Sequence, residues 1–162
     1  MKNDVLLLIS LSIAFLLSLL QTPAWFDVAR PDWLLLVYLY WVLAMPERYG
    51  LAIAAGLGLL EDIISGNPLG QHVILYGFVV LVFLLSYRRL RMQNAWSVAG
   101  IIALLLMLMH SLDAAIAAIS LPAIQLNGAM IILPSLTSAL LWPWLMVFSR
   151  GLRRRFGVVN PL

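Results

Sequence analysis

The sequence has no cysteine and only two histidines, His72 and His110. Disulfides, thiolate nucleophiles and cysteine-ligated metals are therefore excluded, and the redox compartment is left open. Charge is scarce too: 10% of the 162 residues are Asp, Glu, Lys or Arg, where a soluble domain carries about 25%. Such a chain has no polar coat. It also lacks a phosphate-cradling loop, a GxSxG elbow, an HExxH pair and any nucleophile with a base at a workable spacing, which argues against an enzyme. Two isolated histidines make no zinc motif, and no cofactor is implied. The net charge of +3 does not point to nucleic acid, because the basic residues sit in short segments between apolar runs.

What the chain does have is apolar residues, 64% of the total, in runs from one end to the other. This reads as an all-α integral membrane protein, a single transmembrane domain in the form of a six-helix bundle. Spans are expected at about 5–20, 31–45, 50–65, 70–87, 96–121 and 129–149, with a basic tail over 150–162. Pro31 suits the first turn of the second helix, and Pro46 ends it. The apolar part of that helix, 33–45, gives only about 20 Å against a hydrocarbon core of about 30 Å, making it the weakest span. The turn Pro46-Glu47-Arg48-Tyr49 predicts a hairpin of helices two and three, and Ser65-Gly66-Asn67-Pro68 the next turn. Arg88, Arg89 and Arg91 are expected to close helix four at Tyr87, and Pro134 and Pro143 to interrupt helix six.

The basic residues test the scheme, since cytoplasmic loops carry the excess of Lys and Arg. With six spans, Lys2, Arg48, Arg88, Arg89, Arg91, Arg150, Arg153, Arg154 and Arg155 fall on one side, and of the ten only Arg30 falls on the other. Removing a middle helix would scatter the later clusters, so both termini are placed in the cytoplasm. The opening segment could instead be a signal peptide with Thr22-Pro23-Ala24 as a poor cleavage site, but its removal would spoil this pattern. Trp25 and Trp33 then lie near the outer interface, and Trp96, Trp142 and Trp144 near the inner one. The arginine tail suits anionic head groups.

Gly50, Ala54, Gly58 and Asp62 recur every four residues along one face of helix three, a register that lets another helix approach closely. The face ends in a carboxylate with Glu61 beside it. An ionised Asp costs roughly 2.5 to 3.5 kcal/mol at a membrane-helix centre and less near an interface, so Asp62 needs a partner or a role. Three readings stand. Asp62 accepts hydrogen bonds from the Ser65-Gly66-Asn67 backbone or from a neighbouring helix, or Asp62 or Glu61 forms a cation or proton site, or the carboxylates contact a partner protein. His110 and Asp113 share a face of helix five and either clasp helices together, with Ser111, Thr137 or Ser138 as partners, or belong to a proton relay. The inner half of the membrane offers a relay no further groups, which favours the clasp. Gln71 and His72 read as an interfacial cap of helix four, and Trp142-Pro143-Trp144 as a kink with an anchor or docking surface.

These residues resemble a known family, the rod shape-determining MreD proteins, in their proteobacterial branch. The likeness rests on Arg30-Pro31-Asp32-Trp33-Leu34, on the run from Tyr40 to Arg48, on Gly56 to Gly66 with Pro68-Leu69-Gly70, and on Leu141-Trp142-Pro143-Trp144. It implies a non-enzymatic member of the elongasome in the bacterial inner membrane, helping to direct lateral peptidoglycan synthesis and rod shape. The implied partners are the bitopic MreC, the actin-like MreB, and the glycosyltransferase RodA with its transpeptidase, in a symmetric assembly that could contain a homodimer. It also implies a fold similar to the substrate-binding component of energy-coupling-factor transporters, so small-molecule or ion transport is the alternative. Asp62 and the turn Gly66, Pro68, Gly70 match the family's acidic helix and turn. Glu61 stands where an apolar residue is expected and leaves open which carboxylate has the structural role.

Overall fold

The computed structural model describes residues 2–20, 28–120 and 128–155; Trp25, both neighbouring linkers and the tail beyond 155 lie outside the described residues. Among the described residues the chain forms six helices: α1 (Lys2–Leu19), α2 (Trp33–Ala44), α3 (Leu51–Ser65), α4 (Gln71–Met92), α5 (Ala95–Ser120) and α6 (Ala129–Arg155). Three of them, in α4, α5 and α6, are long and apolar enough to cross a membrane. Their outward faces carry large exposed apolar side chains such as Ile74, Leu85, Leu104 and Val147, which lipid tolerates and water does not.

The boundaries depart from the expected ones chiefly at the basic ends. Helix α4 runs past Tyr87 to Met92, and α6 runs past Ser149 to Arg155. Arginine is a good helix former and its charge suits a helix C-terminus, so the apolar run stops before the helix does. The first part of the expected tail is therefore helical. Neither proline interrupts α6: the Ser135 hydroxyl bonds back to the carbonyl of Ile131, supporting the backbone around Pro134.

Helix α2 is the centre of the bundle. It has 12 residues, about 18 Å at 1.5 Å per residue, and Leu34 to Leu43 are buried apart from Val37. It packs on α1, α4 and α6 and touches α3 only lightly. The expected hairpin of helices two and three is thus corrected: the tightly packed sequential pairs are α3 with α4 and α5 with α6. Side-chain hydrogen bonds hold α2 along its length. Trp41 Nε1 donates to Ser10 Oγ at 2.8 Å and Tyr38 Oη to the Gly50 carbonyl at 2.6 Å. In the turn after α2, buried Tyr49 donates to Asp4 at 3.3 Å, and its burial pushes the phenol above the usual tyrosine range.

Candidate functional site

The polar residues expected within the membrane gather at the end of the bundle opposite the arginine-bearing helix ends, in two knots. The first forms where α3 hands over to α4. The backbone carbonyl of Asp62 accepts from the amides of Gly66 and Asn67, which ends α3, and Gly66 takes the left-handed conformation this turn requires, with φ 67°. The side chain of the same residue begins α4. Its Oδ2 accepts from the Gly70 amide at 2.7 Å, and its Oδ1 lies 2.9 Å from both the backbone amide and Nδ1 of His72. A carboxylate at a helix N-terminus satisfies orphan donors and complements the dipole, and this one comes from the preceding helix.

Gly58 makes that possible. A Cβ there would lie 2.5 Å from the His72 carbonyl oxygen, so only glycine lets α3 approach the first turn of α4 this closely. Ala54 and Asp62, on the same face, are buried, whereas Gly50 has open space around its Cα. At Gly58 the small-residue face is therefore filled by the chain's own α4. His72, expected as an interfacial cap, is 9% exposed and part of the knot. Gln71 Nε2 reaches across to Asp113 Oδ1 at 2.6 Å.

The second knot gathers around Asp32. Its Oδ2 lies 3.0 Å from Nε2 of His110, and its amide donates to Ser138 Oγ at 3.1 Å. Thr137 Oγ1 donates to the Ala29 carbonyl at 2.9 Å. The start of α2 is thus tied to both α5 and α6. His110 and Asp113 do not pair with one another; each clasps a different element, and Asp113 bonds none of the hydroxyls expected of it. Sequence reading underrated Asp32 and His72, although Asp32 stands directly after Pro31 at a helix start, where a polar residue usually caps.

A proton relay would need these groups connected. His72 Nε2 and Asp113 Oδ1 are 4.0 Å apart, beyond hydrogen-bond reach, and among the described residues no hydrogen bond joins the two knots. A cavity of about 240 Å³ at the same end is lined by Arg30, Asp32, Glu61, Ser65 and Tyr76 among others. Of the four acidic and histidine residues singled out for transport, Glu61 alone reaches it; its carboxylate accepts from Ser65 at 3.3 Å. No group of three or more His, Asp or Glu residues among the described residues could hold a metal.

The tryptophans of the Leu141-Trp142-Pro143-Trp144 segment divide. Trp142 is fully buried, edge-on to Phe83 with centroids 6.3 Å apart, and is a core residue where an interfacial anchor was expected. Pro143 is buried beside it, and Trp144 is 75% exposed. Trp144 belongs to a different feature. Helices α1 and α6 both pack on α2 but not on each other, leaving an apolar groove of about 400 Å³. Its floor is Trp33 and Val37 of α2, and its walls include Ile13 and Leu17 of α1 and Trp144 and Phe148 of α6.

Comparison with known proteins agrees with the motifs. A family model described as rod shape-determining protein MreD matches residues 1–152. The chain is 33% identical over 147 residues to the rod shape-determining protein MreD of Haemophilus influenzae, covering 88% of this chain and 87% of that one. No solved structure matches.

Proposed function

Since the chain belongs to the MreD family of rod shape-determining membrane proteins, we propose that it is a non-enzymatic scaffold of the elongasome, seating the transmembrane helix of an MreC-like partner in the groove between α1 and α6. The groove carries this reading. Two helices that lean on a third without meeting leave a slot, and helices pack at 8–10 Å between axes. Ile13, Trp144 and Phe148 are 54%, 75% and 71% exposed along it. A bitopic partner is chiefly a single apolar helix within the bilayer, and large aromatic side chains give such a contact its van der Waals area. In this reading the chain crosses the bacterial inner membrane six times, with both termini and the arginine-rich helix ends in the cytoplasm. MreB, RodA and its transpeptidase are reached through the partner or from the same faces.

Transport is the weaker reading. A fold similar to the substrate-binding component of energy-coupling-factor transporters would place a substrate in the cavity beside Glu61, yet Asp62, His110 and Asp113 are spent on internal bonds.

The test is co-purification of the tagged protein from membranes with mass spectrometry of what stays bound. The expected result is an MreC-like protein with cell-wall synthases, reduced at least about tenfold by Ile13→Trp or by Trp144→Ala with Phe148→Ala, as truncating central contacts does. Unchanged recovery with the groove variants would remove the groove from the proposal. Recovery of an ATPase pair and a tightly held small molecule would replace scaffold with transport.

A further inference from the structure

The arginine-bearing end of the bundle holds a cavity that the scaffold reading leaves unused. It has a volume of about 340 Å³, lies between α2, α4 and α6, and is lined by Tyr40, Leu90, Arg91, Met146, Arg150 and Arg153, among others. The sequence brings the cations there simply. Arg150 and Arg153 are three apart and share a face of α6, while Arg91 comes from the last turn of α4.

Two buried donors at this cavity have no partner among the described residues. Tyr40 is 3% exposed and its hydroxyl has no partner, and the Nε of Arg153 is likewise buried and unpartnered. A buried donor without an acceptor is costly, more so when charged, and a low dielectric raises the cost. Among the described residues no carboxylate lines the cavity, and Arg91, Arg150 and Arg153 form no salt bridge. The polar wall is thus cationic and rich in donors. Buried Leu90 and Met146 supply an apolar wall beside it.

We propose that this cavity binds a phosphate group carried by an anionic phospholipid. Guanidinium forks match phosphate oxygens, the Tyr40 hydroxyl adds a donor from within the bundle, and the apolar wall suits the glycerol and upper acyl chain. Helix ends that meet the head groups place the cavity at the depth of the lipid phosphates. The proposal rests on the membrane reading and not on the partner, so its failure and that of the scaffold reading are separately visible.

The test uses the full chain in nanodiscs of phosphatidylcholine alone or doped with phosphatidylglycerol, read by thermal unfolding and by lipid retained in native mass spectrometry. Phosphatidylglycerol is expected to raise the unfolding midpoint of the wild type. Tyr40→Phe is expected to weaken retention of the anionic lipid about fivefold to tenfold, and Arg153→Gln about tenfold or more, each read as the difference between phosphatidylglycerol-doped and phosphatidylcholine discs. Arg88→Gln makes the same charge change on an exposed residue outside the cavity and is expected to retain the lipid. Inorganic phosphate added to phosphatidylcholine discs is the second arm. A response to phosphate without one to the lipid, lost in the same variants, supports the phosphate site and overturns the lipid as its source. Equal losses in Arg88→Gln and Arg153→Gln, or full retention in Tyr40→Phe, overturn the site in favour of diffuse surface attraction. No response to either, with an acidic protein partner lost on Arg153→Gln, overturns it in favour of a protein contact.

Discussion

Asp62 does two jobs with two different groups, ending α3 with its carbonyl and starting α4 with its carboxylate. Glu61 beside it accepts a single bond, from exposed Ser65. The pair therefore separates by substitution. Asp62→Asn keeps one acceptor oxygen and is expected to lower stability by about 2–3 kcal/mol, and Asp62→Ala by more, whereas Glu61→Gln stays within about 0.5 kcal/mol. Thermal unfolding of the detergent-solubilised protein measures this, and equal effects at both positions would deny Asp62 its special place. At this scale the sequence was partly legible. A carboxylate at the end of a small-residue face pointed to Asp62, and the reading in which a neighbouring helix supplies its donors is the one the structure has. His72 was not legible, because a polar residue at a helix start looks like a surface cap until the packing of α3 buries it.

The unit that folds around this residue is the α3–α4 pair, and Gly58 sets its spacing. Gly58→Ala drives a methyl group into the His72 backbone, which has no flexible end to move, and is expected to cost about 1–3 kcal/mol. Gly56→Ala, where a Cβ meets nothing within 4 Å, is expected to be neutral or stabilising by up to about 1 kcal/mol, since alanine is the better helix former. A matched unfolding series tests the pair; a tolerated Gly58→Ala would mean that α3 and α4 pack more loosely than described. The same geometry makes Gly58→Leu unsuitable for probing partner contacts, because any loss would report a disturbed fold. Small residues at four-residue spacing announce a close helix neighbour but not which one. The hairpin misassignment has the same origin: a short turn sets chain proximity, while contact area is decided by which faces match.

For the whole molecule, apolar content and run length were enough to indicate a helical membrane protein, and the order of the motifs was enough to indicate its family. The central place of α2 was hidden, because a helix that is apolar on every side has no face to read. Topology is directly testable, since the chain has no cysteine to mask or replace. Leu69→Cys, in the exposed turn between α3 and α4, is expected to react with an impermeant maleimide from outside the cell. Gln93→Cys, between α4 and α5, should react only after permeabilisation. Labelling of both from one side would break the six-span reading.

The short, enclosed α2 has a consequence for biogenesis. At about 18 Å it is poorly matched to a bilayer of about 30 Å and has little to hold it there alone. Two of the helices that wall it in, α4 and α6, are synthesised after it, and the hydroxyl that receives the Asp32 amide, Ser138, belongs to the last of them. The centre of the protein is synthesised early and completed late. A nascent chain stopped before α6 thus has an unfinished core, without the packing of Trp142 and the Ser138 hydroxyl that α6 brings.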